Sequence, residues 1–379
     1  MREDNGQIIL DLSDINEMSS EITSETRERI NLTVNEGCEG RFENLWNQAV
    51  KQMKESGWDL SGCDKTHTQY IRGMKSFVTH LANDTKITKL KNYKNNDVIE
   101  FEKKLKESNY SVDTIKPYQS GVQEFHKGFL ESGGTKNKIQ DAATIHQKVD
   151  LGKRQSGVLD RAWNDREVEE MKQKALRDGR SDVYFGIRLG DEFGIRIQTI
   201  GKLTPRQVNK ALRDGELRVK EKGGKWRNIP INQPNQRELL ESLSGIAKGD
   251  GLGANQHIFR DSEQMNIGKR TQGQNSHDKT VKSIQNYIGS VRDKIQDDDR
   301  KSINEYLDSK EKRIVEKVDL SFHGLRYRFA QREIDRLMKE GKSFKDACKV
   351  VSQELGHERE QITRIYLCQK NANNQIKFK

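Results

Sequence analysis

Two segments near the carboxyl end, SFHGLRY at residues 321–327 and ELGHEREQITRIY at residues 354–366, are the most informative part of the chain. Their apolar spacing predicts consecutive helices. His323 and Arg326 are three residues apart, so they share one face of a helix. The glycine before the histidine of the second segment fits a helix C-terminus with a tight turn. The tyrosine that ends this segment lies on the next predicted helix.

The polar side chains of these segments are His323, Arg326, His357 and Tyr366. Together these side chains are suited to bind a phosphodiester while the phenol of the tyrosine attacks it. Arginine presents a planar fork of donors to two phosphate oxygens, and histidine moves a proton near neutral pH. A phenol, with a pKa of about 10, needs cations nearby to favour its oxyanion. Taken singly, each residue has a plainer explanation, as a surface pair, a turn residue or a packing residue.

The composition describes a very polar chain that favours a polyanion as its partner. It has 379 residues, 33% charged and 32% hydrophobic, which is enough for two or three domains. The formal net charge is +10. Residues 1–40 hold ten acidic side chains and three arginines, a net of −7, so the remainder carries +17. A basic chain that follows an acidic N-terminal segment is typical of proteins that bind nucleic acid.

Several classes of protein are disfavoured by the same sequence. It contains no run of 18 apolar residues, and its start lacks the layout of a signal peptide, so we expect a cytoplasmic protein with no membrane partner. No glycine-rich phosphate loop is present. The four cysteines form no CxxC pair and no zinc-like cluster, which predicts reduced thiols and no metal site. They are Cys38, Cys63, Cys348 and Cys368.

Composition and periodicity predict four parts: an acidic, disordered arm (1–40), a small helical bundle (41–148), a linker (149–157) and a second domain (158–379). Ser111 or Asp113 is expected to cap a helix in the first domain. In the second domain, helix is expected from Arg161 onward, through residues 162–164 and 183–187. A β-hairpin is predicted over 216–231, a mobile loop over 248–276 and more helix from about 279 to 310.

Five boxes in the second domain resemble those of the tyrosine recombinases, also called the phage integrases. That family has an arginine in a Gly-Leu-Arg-like segment, a lysine on a β-hairpin, a His-x-x-Arg box, a Leu-Gly-His box and a tyrosine nine residues further on. The matching residues here are Arg196, Lys222, His323 with Arg326, His357 and Tyr366. Each box alone is poorly specific, whereas all five in order are strongly specific. The likeness covers residues 160–370, and more weakly 41–148.

The resemblance implies a mainly α-helical fold with a small antiparallel β-sheet in the catalytic domain. It implies that residues 41–148 form a helical core-binding domain of the SAM-like type. The implied activity is site-specific DNA recombination through a 3′-phosphotyrosyl intermediate, with no cofactor. The implied partners are double-stranded DNA and further copies in a homotetramer on DNA. Accessory DNA-bending or directionality factors remain open, and a bacterial, DNA-associated location follows.

The same resemblance implies a role for each site residue. Tyr366 would be the nucleophile, and Arg196 and Arg326 would clamp the non-bridging oxygens. Lys222 would protonate the departing 5′-oxygen. One histidine, His323, would accept the tyrosine proton or position the phosphate, and the other would hydrogen-bond a phosphate oxygen.

The chain departs from the family pattern in two places and leaves three alternatives open. Thr199 stands where the family usually has an acidic residue, and the gap between Arg326 and His357 is long. Lys225 rivals Lys222 as the general acid. The alternatives are a type IB topoisomerase-like nicking and religating enzyme, a non-catalytic DNA-binding protein on a recombinase scaffold, and a helical regulator of another protein.

Overall fold

The computed structural model describes residues 32–61, 65–152, 160–221, 224–259, 276–296, 305–307, 313–315, 318–357 and 365–367. Four sequence predictions therefore lie wholly or largely outside the described residues: the acidic arm, the linker, most of the loop over 248–276, and the position of Lys222. Of the helices that the structure describes, none combines the length and apolarity needed to cross a bilayer.

The described part of the chain divides into two compact units, one within Arg27–Gln155 and one within Ser156–Lys379. In the described part of the first, which we call the helical unit, the helices are α1 (Glu39–Glu55), α2 (Lys65–Asp84), α3 (Asn95–Glu107), α4 (Val112–Glu131) and α5 (Ala142–Lys148), with a 3₁₀ turn at Leu90–Asn92. Ser111 is the cap of α4, because its hydroxyl accepts a hydrogen bond from the Thr114 amide at 3.3 Å.

Helices α2 and α4 pack closely because a glycine on each of them faces the backbone of the other. A Cβ on Gly73 would lie 2.6 Å from the Tyr118 Cα, and a Cβ on Gly121 would lie 2.7 Å from the Tyr70 Cα. Any larger residue at either position would push the two backbones apart. The helical unit thus buries its apolar faces around one core.

The second unit is also mainly helical, which confirms the predicted fold class. Its described helices are α6 (Asp165–Arg177), α7 (Ser181–Phe193), α8 (Ile197–Ile200), α9 (Pro205–Asp214), α10 (Pro234–Gly249), α11 (Ser276–Val291), α12 (Phe322–Lys339) and α13 (Phe344–Glu354). Its strands are β1 (Glu216–Lys220), β2 (Trp226–Pro230), β3 (Glu305–Leu307) and β4 (Arg313–Val315). They form two separate antiparallel pairs, β1 with β2 and β3 with β4.

The β1–β2 hairpin confirms the strand pair predicted over 216–231. Leu217 pairs with Ile229, and Lys220 pairs with Trp226. Side chains alternate between the two faces of a strand, so Leu217, Val219 and Ile229 enter the core of the unit. The opposite face of the hairpin is exposed.

Two helix predictions were wrong in part. Helix was expected from about 279 to 310, but α11 ends at Val291 and residues 305–307 pair as a strand with 313–315. Short strands depend on a partner elsewhere in the chain, which local periodicity does not reveal. Residues 162–164 were also expected to be helical. They are not, because Asn164 is the N-cap of α6 and its side chain accepts from the Glu167 amide.

Candidate active site

The first turn of α12, which carries two predicted site residues, is held against the segment that precedes α6. The indole Nε1 of Trp163 donates to the Ser321 carbonyl at 2.8 Å. Gly324 allows a close approach, since a Cβ there would lie 2.2 Å from the Arg161 carbonyl oxygen. The glycine of the HGLR motif is therefore required for packing. This close contact fixes the position from which the side chains of His323 and Arg326 project.

Arg326 connects three parts of the unit. It is 1% exposed. Its Nε donates to the Tyr366 hydroxyl at 3.2 Å, and its Nη1 donates to the Gly194 carbonyl at 2.5 Å. Its Nη2 donates to the Leu355 carbonyl. The guanidinium thus joins the ends of α7 and α13 to the start of α12, and its burial lowers the pKa of Arg326.

His357 lies in the predicted turn after α13. Gly356 adopts φ +68°, and the His357 amide donates to the Ser352 carbonyl at 2.8 Å. Arg326 Nη2 donates to His357 Nε2 at 3.2 Å. Because a guanidinium only donates, Nε2 must accept, which assigns the ring proton to Nδ1. Burial, and then nearby arginines, lower the pKa of His357 to about 3, so the ring is neutral at pH 7.

Tyr366 is 6% exposed and lies among three other rings. It stacks on His357, with ring centroids 5.3 Å apart and an interplanar angle of 19°. The rings of Tyr327 and His323 lie 4.7 Å and 5.6 Å from it. The Tyr366 carbonyl accepts a hydrogen bond from Gln331 Nε2 at 3.1 Å. Its hydroxyl therefore has a guanidinium at hydrogen-bond distance and two imidazoles close by.

His323 is the more open of the two histidines. The residue is exposed, while its ring packs 5.5 Å from that of Tyr327. Burial of the ring, and then the charges of arginines, of which Arg326 is the strongest, lower the pKa of His323 to about 4. Both imidazoles are thus neutral at pH 7 in the free protein, and an anion bound beside them would raise both pKa values.

Arg196 belongs to a second group of charges, which Glu221 holds together. Arg196 Nη1 donates to Glu221 Oε2. Arg227 Nε donates to Glu221 Oε1 at 2.9 Å, and Arg227 Nη2 donates to the Gly194 carbonyl at 3.3 Å. Burial lowers the pKa of Arg227 to about 9, although the charge of Glu221 acts in the opposite direction. The Gly194 carbonyl accepts from Arg326 as well, so it links the two groups.

Sequence reasoning missed Glu221 and Arg227. One signal could have identified Arg227: on β2 the buried positions are Arg227 and Ile229, so an arginine occupies a core position of a predicted strand. The same signal could have identified Glu221, because it follows the last residue of β1 and continues the alternation of the buried Leu217 and Val219.

Three other predicted features have different outcomes. Lys222 lies outside the described residues. Its rival, Lys225, is exposed, and its carbonyl accepts from the Glu221 amide at 2.7 Å in the loop of the hairpin. Thr199 is buried, and its amide donates to the Arg196 carbonyl at 2.9 Å. No carboxylate therefore reaches Arg196 from that position.

The site has a surplus of positive charge. Among the described residues, Arg196 and Arg227 both hydrogen-bond the carboxylate of Glu221, while Arg326 bonds no carboxylate, so three guanidinium groups share one hydrogen-bonded carboxylate. A surplus of this size matches an anion that gains charge as it reacts. In the described ranges, no group of three or more His, Cys, Asp or Glu side chains is placed to hold a metal ion.

Comparison with known structures agrees with this architecture. No protein-family model matches the chain. A lambda integrase tetramer bound to a Holliday junction aligns with a TM-score of 0.57 at 13% identity, over 97% of this chain and 87% of that one. A lambda integrase dimer bound to a COC′ core site aligns with a TM-score of 0.56 at 14% identity, over 88% and 79%.

A third similar structure is the XerH site-specific recombinase bound to a palindromic difH substrate, in a post-cleavage complex. Its TM-score is 0.51 at 14% identity, over 87% of this chain and 83% of that one. This chain thus has the fold of the tyrosine recombinases.

Proposed function

We propose that this protein is a site-specific DNA recombinase of the integrase type, which cleaves and rejoins DNA through a 3′-phosphotyrosyl intermediate. The observation that carries this proposal is the hydrogen bond from Arg326 Nε to the Tyr366 hydroxyl, 3.2 Å long, beside two neutral imidazoles. A guanidinium at that oxygen stabilises the phenolate as it forms, and a neutral imidazole is free to accept its proton.

In the cleavage step, the Tyr366 oxygen forms a bond to phosphorus while the bond to the 5′-oxygen breaks. Arg326 and Arg196 supply the positive charge that stabilises the pentacoordinate state. A lysine of the hairpin loop, Lys222 with Lys225 as the alternative, protonates the departing 5′-oxygen. His323 receives the proton of the phenol.

The rejoining step reverses this chemistry. The 5′-hydroxyl of another strand attacks the phosphotyrosine, and the phenol leaves. Because the ester preserves the energy of the phosphodiester bond, the exchange needs no ATP. Four copies assembled on two duplexes would complete recombination; the similar lambda integrase structure is a tetramer bound to a Holliday junction.

The exposed face of the β1–β2 hairpin supports DNA as the partner. Trp226 is 52% exposed, which is unusual for so large an apolar side chain. The Arg218 guanidinium lies 4.9 Å from its ring centroid, and the Lys220 ammonium lies 5.9 Å from it. An aromatic ring that orders two cations presents a preformed surface to a phosphate backbone.

Covalent trapping tests the proposal. The full-length protein is incubated with a pool of nicked duplexes of random sequence, in which the short fragment after the cleavage site diffuses away and prevents rejoining. We expect a protein–DNA adduct that resists denaturant. Sequencing the DNA from the adduct identifies the site, and labelling of a free 5′-hydroxyl identifies the 3′-linkage.

Tyr366→Phe should abolish the adduct. Tyr327→Phe is the matched control, because its ring lies 4.7 Å from that of Tyr366 and it makes the same chemical change. An adduct with Tyr366→Phe, or none with the wild type, would refute the proposal. Relaxation of supercoiled DNA by the wild type, without exchange between paired sites, would indicate a topoisomerase instead.

A further inference from the structure

Glu221 is a buried carboxylate whose two oxygens are both occupied by arginines. Its side chain is 4% exposed. Oε2 accepts from Arg196 Nη1, while Oε1 accepts from Arg227 Nε and lies 2.8 Å from Arg227 Nη2. A buried carboxylate with this geometry holds two guanidinium groups in fixed orientations.

Arg227 extends this connection to the rest of the site. It shares the Gly194 carbonyl with Arg326. It also packs beneath the turn that carries His357, because a Cβ on Gly356 would lie 3.0 Å from the Arg227 Cδ. Through Arg227, therefore, Glu221 is linked to the guanidinium that bonds the phenol and to the histidine turn.

Arg196 depends on Glu221 more directly. Its side chain is 30% exposed, and in the part of the chain that the structure describes Glu221 is its hydrogen-bond partner. Thr199 cannot replace this carboxylate. A long side chain that reaches toward solvent samples many rotamers unless a partner fixes it. The carboxylate thus decides where the Arg196 guanidinium points.

Glu221 also forms the base of the hairpin loop. Its amide donates to the Lys225 carbonyl at 2.7 Å, and its carbonyl accepts from the Gly224 amide at 3.1 Å. Both lysines considered for the leaving group belong to this loop. One residue therefore holds an arginine with its side chain and bonds Gly224 and Lys225 with its backbone.

We propose that Glu221 is a positioning residue for DNA cleavage: it orients Arg196 toward the scissile phosphate and ties this arginine to the loop of the hairpin. This inference rests on the function proposed above. It predicts an unusual separation of effects. Glu221→Gln removes the one negative charge among three guanidinium groups, so DNA should bind as tightly or more tightly, while a misplaced Arg196 slows cleavage.

Single-turnover cleavage and DNA affinity test the proposal, with the duplex recovered by covalent trapping as the probe. For Glu221→Gln we expect cleavage to fall on the order of 10²-fold, with the Kd unchanged or lower. Combined with Arg196→Ala, the substitution should cause no further loss, because it acts through that arginine. Glu216→Gln, at the other end of β1, is the control and should cleave at the wild-type rate. If the glutamine variant does not fold, Glu221→Asp is measured in its place, because it keeps the charge and shortens the side chain that holds Arg196.

Different results overturn different claims. Wild-type cleavage rates in Glu221→Gln would refute the positioning role and leave the proposed recombinase function intact. A full additional loss in the Arg196→Ala background would show that Glu221 does not act through that arginine. Parallel losses of DNA affinity and melting temperature would show a purely structural role. If the wild type forms no adduct, the proposed function fails, and this inference fails with it.

Discussion

The helical unit and the second unit bury different kinds of side chain. In the helical unit, the ring of Phe77 lies 5.2 Å from that of Tyr93 and 5.3 Å from that of Phe101. Its buried Glu102 bonds one histidine, His146, at 2.8 Å. In the active site of the second unit, by contrast, three arginines, Arg196, Arg227 and Arg326, lie around the one carboxylate of Glu221.

Burial of apolar side chains and burial of charged side chains contribute differently to stability and to function. Burial of apolar surface stabilises a fold by about 25 cal/mol per Å². Burial of an ion costs several kcal/mol and is recovered only if partners replace its hydration. The Arg326 guanidinium bonds carbonyls but no carboxylate among the described residues, so its positive charge is left unbalanced. We infer that the second unit keeps this charge for an anion that arrives from outside.

The largest expected effect is on the apolar core of the helical unit. Phe77→Ala should lower the free energy of unfolding by about 3–5 kcal/mol, because it leaves a cavity among aromatic rings. Urea denaturation followed by fluorescence measures the change. Gln69→Ala, an exposed change on the same helix, is the control and should be close to neutral. If Phe77→Ala were equally neutral, the comparison of the two cores would fail.

The next effect is on catalysis. Arg326→Lys keeps the charge but loses the fork that reaches Tyr366 and two carbonyls, so we expect cleavage to fall about 10²–10³-fold. Single-turnover adduct formation measures the rate. The control is Arg332→Lys on the same helix, whose guanidinium bonds Asp191 and lies outside the cluster. Near-normal cleavage by Arg326→Lys would contradict the role of the buried guanidinium.

The pH dependence of stability tests whether His357 is neutral in the folded protein. The pKa of His357 is about 3 in the folded protein, whereas that of an unfolded histidine is about 6.5. Between these values only the unfolded chain binds the proton, so stability falls as the pH is lowered through this range. His357→Asn should remove at most about 2 kcal/mol of the loss between pH 7 and pH 5, at about 1.36 kcal/mol per pH unit.

Urea denaturation of both proteins at the two pH values gives the difference. Burial raises the pKa of Glu354 to about 7, so the folded protein binds a proton there before the unfolded chain does, and this group stabilises the fold as the pH is lowered. Because this effect opposes that of His357, the variant must be compared with the wild type at both pH values. If the pH dependence of the two proteins were identical, His357 would not be held in its neutral form by its surroundings.

The smallest effect concerns the exposed face of the hairpin. Trp226→Ala should weaken DNA binding by about 1 kcal/mol, roughly fivefold, and leave the melting temperature unchanged. Arg218→Ala should lower the slope of log K against log salt by about one. Leu176→Ala, at another exposed apolar residue, is the control. Unchanged affinity and salt dependence in both hairpin variants would exclude this face as a DNA contact.

Local sequence signals predicted local structure well. The Ser111 cap, the two strands of the hairpin and the helix that begins just before His323 each depend on neighbouring residues, and the structure confirms them. The failures have a common cause. Residues 305–307 pair with a strand several residues away, and Trp163 donates to Ser321 far along the chain. The periodicity of the local sequence predicts neither of these two contacts.

The sequence by itself determined the fold class, the order of the motif residues and the turn before His357. Only the tertiary structure decided that the Gly194 carbonyl would be shared by Arg326 and Arg227, and that Glu221 would hold Arg196. The reason is physical. Helix periods, caps and turns arise from interactions between near neighbours, whereas a buried charge network joins distant residues whose approach depends on packing of the whole unit.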